Sequence, residues 1–327
     1  MTWSNPWLVG GDAETPEQVA RMFAFVATGG AEGIAQPGDL KVVAQPVPNN
    51  QLSVSAGGAL MLNRGADSYE QSYIAANPDP DVVTITATGS TGVRRDLVVC
   101  RVEDPNAAGG SQWKNNGADP VKGPFMFTRV IENVPAGTTR LQDVPGHGSD
   151  IGFALALVTI PANTGTITNA MIADLRKLAR PRETRIVARD LGMSVGSLAG
   201  TAGTLFPPFQ PSIVVPDWAT HAEVEVTISQ LSAQGSSNGF ANVSLRAADG
   251  ATVVVDGDQM AYNADVSSGS NTRFVHQSSV YGDVRSQRGR TVKPSNFMRK
   301  EAAARGDLRY DQYAQIKFVV TFYERIV

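Results

Sequence analysis

The chain has 327 residues, more than one hydrophobic core usually serves, so two domains of ordinary size are expected. Apolar residues make up 42% and charged residues 18%, with 32 Gly and 19 Pro scattered along the chain, which excludes disorder and fits short strands joined by many turns. The net charge is -3 with no basic excess in either half, which argues against a nucleic-acid partner, and the single Cys100 excludes a disulfide framework or thiolate metal site while suiting assembly in a reducing cytoplasm.

The opening residues 1–6 carry no positive charge and lead into no long apolar run, so no signal peptide is expected. The longest apolar run, 151–160, falls far short of the roughly 20 residues of a membrane-spanning helix, and no membrane insertion is expected. Trp3, Trp7, Leu8 and Val9 precede any regular element. They read either as a strap that docks on a partner or as a tail packed on its own domain. A helix follows, opened by the capping box Thr15-Pro16-Glu17-Gln18, with Val19, Met22, Phe23 and Val26 on one apolar face and Gly29-Gly30 as its stop. That face should lie on a sheet or on another subunit.

Strands are expected at 40–44, 51–55, 82–87, 96–103, 125–133 and 153–160, punctuated by Gly, Pro and Asn, the pattern of an antiparallel sandwich or barrel. Leu97, Val98, Val99 and Cys100 lack polar alternation, which predicts a central strand buried on both faces with an inert thiol. A second helix is predicted from Thr168 as N-cap through Ile172, Leu175 and Ala179, with Arg176, Lys177 and Arg180 near its end and Pro181 as its stop. Past this junction, alternation over 222–229 sends Val224, Val226 and Ile228 to one face and Glu223, Glu225 and Thr227 to the other. Further strands are expected at 240–248, 252–256, 273–280 and 315–323, with a polar loop at 282–311 holding a short helix from Ser295 to Gly306.

No motif supplies a reaction. His147-Gly148-Ser149-Asp150 holds the residue types of a hydrolytic triad, but neighbours on one loop rarely converge, and a turn is the better reading. The glycine-rich stretch 196–203 lacks the G-x-G-x-x-G spacing and reads as a flexible loop; a Walker sequence is absent. His147, His221 and His276 show no metal-ligand spacing, and the Asp pairs at 79/81 and 256/258 read as turns rather than calcium loops. Glu223 and Glu225 read as a solvated strand face rather than a glycosidase pair. No cofactor is expected. The enriched feature is basic: Arg285, Arg288, Arg290, Lys293, Arg299, Lys300 and Arg305 cluster in the expected loop, either as an anion-binding surface or as solvated charge.

Three segments have a combined order that is more specific than any one of them: Arg94 to Asp104, Gly152 to Ala162 and Thr166 to Arg176. Together they resemble the minor tail proteins of long-tailed phages of actinobacteria over about residues 35 to 180, a little under half the chain. The segment from Val215 to Ala222 is similar to the opening of terminal β-sandwiches in such tail proteins. The resemblance implies a virion component near the tail tip, assembled in the host cytoplasm, in contact with other tail proteins, commonly oligomeric and often engaged in host-surface recognition. It brings no catalytic residues. Neither a collagen-like nor a β-helical stalk period is present.

The expected architecture is mainly β: two successive antiparallel sandwich or barrel-like domains with an N-terminal helix and a helix at the domain junction. The expected domains are 1–30 as strap and helix, 31–182 and 183–327. Three functions are weighed: a structural tail-tip protein, a receptor- or carbohydrate-binding module acting through the C-terminal domain, and a cell-wall or capsule hydrolase, which no constellation supports. For the binding module, Phe274, Tyr281, Arg285, Arg288, Arg290 and Lys293 are the candidate contacts, with a host-surface glycan as partner. The apolar strand 316–323 has edges that closed association would cover, and the resemblance to tail-tip appendages implies a homotrimer.

Overall fold

A computed structural model describes residues 16–64, 70–104, 122–198, 200–265, 270–302 and 306–326. The protein is mainly β with several antiparallel sheets and an N-terminal helix, and its chain divides into two compact units, Met1–Arg180 with Ile326–Val327, and Pro181–Arg325.

The first unit begins with helix α1 (Glu17–Thr28). Pro16 is its N-cap, and Gly29 closes it in the left-handed conformation at φ 65°. Of the expected apolar face, Val19 is half-buried and Met22, Phe23 and Val26 are 43%, 56% and 72% exposed, and Ala24 is the buried residue of the helix. A rotated stripe makes the attachment instead. Arg21 bonds Gln71 at 2.8 Å and lies over the Tyr73 ring at 5.2 Å, and small Ala24 allows close approach.

Strands β1 (Gly33–Ile34), β2 (Val42–Ala44), β3 (Gln51–Val54), β4 (Gly57–Leu62), β5 (Ser72–Asn77), β6 (Asp81–Thr84), β7 (Arg94–Val102), β8 (Met126–Ile131), β9 (Gly152–Ile160) and β10 (Ile172–Asp174) follow. They form sheets of order β1-β4-β5, β2-β3-β6 and β10-β9-β7-β8. β7 is the predicted two-sided strand: Val98, Cys100 and Val102 enter one apolar cluster, and Leu97 and Val99 enter another. A bulge at Leu155 of β9, opposite Val98 and Val99, lets the successive residues Leu155 and Ala156 both enter the first of these clusters.

The junction helix does not form. Asn169–Met171 is one 3-10 turn without a side-chain cap from Thr168, and Ile172, Ala173 and Asp174 pair with Val158, Leu157 and Ala156 of β9. Tertiary pairing outweighs the helical spacing here, because the edge of β9 offers ladder bonds and Arg176 is pulled inward. Its guanidinium is buried, forks onto Asp174 and donates to the carbonyls of Pro37 and Asp39. Residues 177–179 then lie against β1, with Ile34 N donating to Lys177 O and Ala179 N donating to Ile34 O. Gly33 permits this approach, since a Cβ there would stand 2.1 Å from Lys177 O.

The second unit contains β11 (Glu183–Asp190), β12 (Gly196–Leu198), β13 (Thr204–Leu205), β14 (Ile213–Val214), β15 (His221–Gln234), β16 (Ser237–Ala247), β17 (Val253–Asp256), β18 (Met260–Ala264), β19 (Asn271–Asp283), β20 (Thr291–Lys300), β21 (Asp307–Tyr310) and β22 (Gln315–Tyr323). One sheet runs β11-β22-β15-β21-β12 with β19 on the other edge of β15, and the second runs β13-β20-β16-β17 with β14 and β18 added. Apolar residues of both sheets interdigitate in one core: Val224, Val226, Ile228, Ile316, Phe318, Val320 and Phe322 from the first, and Ala241, Val243, Leu245, Val292 and Met298 from the second. In β15 the predicted alternation changes phase at a bulge between Ile228 and Leu231, where Gln230 has φ 58°, so Leu231 and Ala233 also face inward.

Three expectations fail in this unit. The polar loop with a helix from Ser295 is strand β20, paired along its length with β16. Ser295 caps nothing: its hydroxyl accepts from Gln210 at 2.6 Å and donates to Lys293 O at 3.1 Å. Pro294 is tolerated because β14 pairs 291–292 and β13 pairs 297–298, and the bond made between them on that side, Phe206 N donating to Asn296 O, asks nothing of the proline nitrogen. The glycine-rich loop opens with β12, where Gly196 leaves room for the Tyr310 ring. β22 lies between β11 and β15, so its edges are covered within the chain and give no reason for association.

Candidate functional site

Trp3, Trp7, Leu8 and Val9 lie outside the described residues. The six other candidates do not come together. Phe274 faces inward and packs against the inter-sheet core, whereas Tyr281 sits on the outer face of β19, stacked on His221 at 5.2 Å and near Tyr323 at 6.2 Å. An odd separation along one strand puts the two on opposite sides. Arg285 is held by Asp283 at 2.5 Å, and this hydrogen-bonded guanidinium keeps the Asp283 carboxyl below the usual range. Arg288 donates to the carbonyls of Ala219 and Trp218 at 2.6 and 3.5 Å, a brace rather than a free cation. Arg290 is exposed just before β20, and Lys293 is on the outer face of β20. Of the remaining basic residues, Lys300 is buried and 3.5 Å from Asp307, and Arg305 lies outside the described residues.

The outer face of the second sheet brings together residues from β16 and β20 that the linear pattern separates. Alternation places Phe240, Asn242, Ser244 and Arg246 on one side of β16, and the register sets Arg299, Phe297, Ser295 and Lys293 directly opposite them. The Arg299 guanidinium lies 4.7 Å from the Phe240 ring centre, and that of Arg246 lies 4.1 Å from the Phe297 ring centre. Arg246 is further fixed by bonds from Nε to Ser244 Oγ at 3.2 Å and from Nη1 to Ala251 O at 2.6 Å, and Arg299 donates to Gln259 at 3.3 Å. Among the described residues neither guanidinium forms an ion pair with a carboxylate. A cleft of roughly 310 Å3 opens over these side chains, lined also by Asn242, Asp256 and Gln259. Its volume is at the lower end of the range of small-ligand sites.

Strand 240–248 was legible in the sequence, and the residue types Phe-x-Asn-x-Ser-x-Arg at its alternate positions were the available signal. The second half of the face was hidden because 291–300 read as loop and helix.

In the first unit, the expected turn at 147–150 is present, closed by Asp150 N donating to His147 O at 3.1 Å. His147 and Asp150 pair at 2.7 Å, and Asp150 also meets buried Arg101 at 3.2 Å. Next to it, buried Glu103 takes a two-pronged bond from Arg129 at 2.9 Å. This cluster ties a loop to β7. Cys100 is buried with its sulfur 3.8 Å from that of Met61, and burial pushes its thiol up, away from reactivity. Glu223 accepts from the Tyr323 hydroxyl at 2.9 Å. Burial holds His276 toward its neutral form. Among the described residues no group of three or more His, Cys, Asp or Glu is placed to hold a metal ion, and no helix is long and apolar enough to cross a membrane.

No family model and no curated protein matches the chain. Among solved structures, a particle of infectious bursal disease virus strain Gx is similar over 90% of this chain and 80% of its own, at 13% identity and a TM-score of 0.25. The VP2 subviral particle of the same virus covers 94% of this chain and 82% of its own, at 11% identity and a TM-score of 0.26. The mosquito-larvicidal Cry4Aa toxin of Bacillus thuringiensis covers 89% and 54%, at 7% identity and a TM-score of 0.21. Superpositions this loose carry no argument for kinship or function.

Proposed function

We propose that this chain is a structural component of a bacteriophage tail, placed near the tail tip, in contact with other tail proteins and assembled as a homotrimer. The observation that supports the reading is the fate of the three resembling segments. They are β7, β9 and the 3-10 turn with β10, adjacent in one sheet, with an Arg–Asp pair in the first segment, Arg94 with Asp96, and another in the last, Arg176 with Asp174. The reading assigns the chain no reaction.

Imaging of intact particles carrying a C-terminal label is the test: label at the tail tip is expected, and label along the tube or absent from particles overturns the assignment. Light scattering of the full chain, with the particle reconstruction beside it, tests the trimer, and a monomer in both would defeat it. A second reading, host-surface contact through the second unit, is favoured by the paired Phe–Arg stacks on its outer sheet face.

A further inference from the structure

We infer that the cleft over β16 and β20 is a binding site for an acidic saccharide, a sugar ring bearing a carboxylate. The inference holds whether or not the chain belongs to a tail.

Two features of the face point to an anion. Arg246 and Arg299 lack carboxylate partners among the described residues, although Asp256 lines the same cleft. Both are also held in place before any ligand arrives. A guanidinium lying over an aromatic ring and hydrogen-bonded at one edge presents its remaining N–H groups in a fixed direction, ready for the oxygens of a carboxylate. Arg246 keeps Nη2 for this purpose after Nε and Nη1 are engaged by Ser244 and Ala251. Little side-chain entropy is left to lose on binding.

The neighbouring groups suit a sugar rather than a bare ion. Phe240 and Phe297 are half-buried and offer to the C–H face of a pyranose the ring surface that the guanidinia leave uncovered, while Asp256, Asn242 Oδ1 and Gln259 Nε2 offer acceptors and a donor for hydroxyls. The two stacks stand on Phe240 and on Phe297, which is opposite Asn242, so one same-face step of about 7 Å separates them along the strand. A nucleic acid fits poorly. Two cations with an aspartate between them cannot track a phosphate backbone, and the chain is net negative at -3.

The test uses the full chain, a linear uronic-acid tetrasaccharide, a neutral tetrasaccharide of the same linkage and inorganic phosphate, with binding read by calorimetry. The uronate is expected to bind at least tenfold more tightly than the neutral sugar or phosphate. The double variant Arg246→Gln/Arg299→Gln, checked for an unchanged melting transition, is expected to weaken uronate binding at least tenfold. Failure of the uronate to bind, equal binding of the neutral sugar, or phosphate binding as tightly each overturns the proposal, as does undiminished binding by a folded double variant. Should the variant not fold, amide shifts of the unaltered protein on uronate addition decide. Shifts centred on residues 240–246 and 293–299 support the site, and shifts elsewhere overturn it.

Discussion

In the first unit Asp96, Arg101, Glu103, Asp150 and Arg176 are buried charges, most of them tied to another segment of the chain. The second unit joins two broad sheets through an apolar core, and its buried polar groups are mostly neutral: Thr220, Ser237, Ser244, His276, Ser295, Asn296 and Thr321, with Lys300 and Glu324 as the charged exceptions. Part of the contrast follows strand length, although Asp96 and Arg101 lie within nine-residue β7. β15 runs 14 residues and has long ladders on both edges, whereas β1, β2 and β10 have two or three residues and leave most of the surrounding backbone outside any ladder. Such loops need other partners, and a buried guanidinium or carboxylate with several bonds to make supplies them. Arg176, just past three-residue β10, is such a tie, with bonds to the carbonyls of Pro37 and Asp39.

The sharpest way to break the contrast is one substitution in each unit. Phe318→Ala should cost about 3–5 kcal/mol by emptying the inter-sheet core. Glu103→Ala should cost about 3–5 kcal/mol for a different reason, since it removes the buried carboxylate that the Arg129 guanidinium grips and leaves Arg101 to the Asp150 carboxylate. Denaturant titration with hydrogen exchange to localise the loss distinguishes the two, and a loss spread over both units in either variant would contradict the division. Gly33→Ala should come next, at about 1–3 kcal/mol, because the new Cβ meets Lys177 O and the glycine has φ 145°. An unchanged melting temperature would show that the 177–179 segment can retreat from β1.

The ionic ties also predict acid sensitivity. Burial raises the Asp174 carboxyl, but hydrogen bonds and charge from Arg176 outweigh it and hold the group below its usual value; the same opposition, with Arg182, holds Glu324 low. Both groups have lower pKa values folded than unfolded. Their contribution is thus complete above the unfolded value near 4 and is lost as pH falls through the folded one. Melting temperature should drop below about pH 4, and Arg182→Met should flatten that drop for the second unit. Parallel curves for the two proteins would remove the pair as its cause. The smallest effect belongs to Arg285→Ser: its pair with Asp283 is solvent-facing, and no measurable change in melting temperature is expected.

The sequence by itself determined the β class, helix α1 and strands β7, β9, β15 and β22, because each of those strands carries its burial pattern in its own residues, as doubled apolar runs or strict alternation. Only the tertiary structure decided three other matters. The 172–174 segment became a strand because β9 had an open edge and Arg176 had carbonyls to reach. The 291–300 segment became a strand whose buried positions include Pro294, Ser295, Asn296 and Lys300, polar or ladder-breaking residues that read as loop until their partners are known. The Phe–Arg face exists because the β16–β20 register sets 240 opposite 299 and 242 opposite 297. Burial periodicity is a local property that a chain carries with it, whereas register and the pairing of buried polar groups are relations between distant segments and arise only when those segments meet.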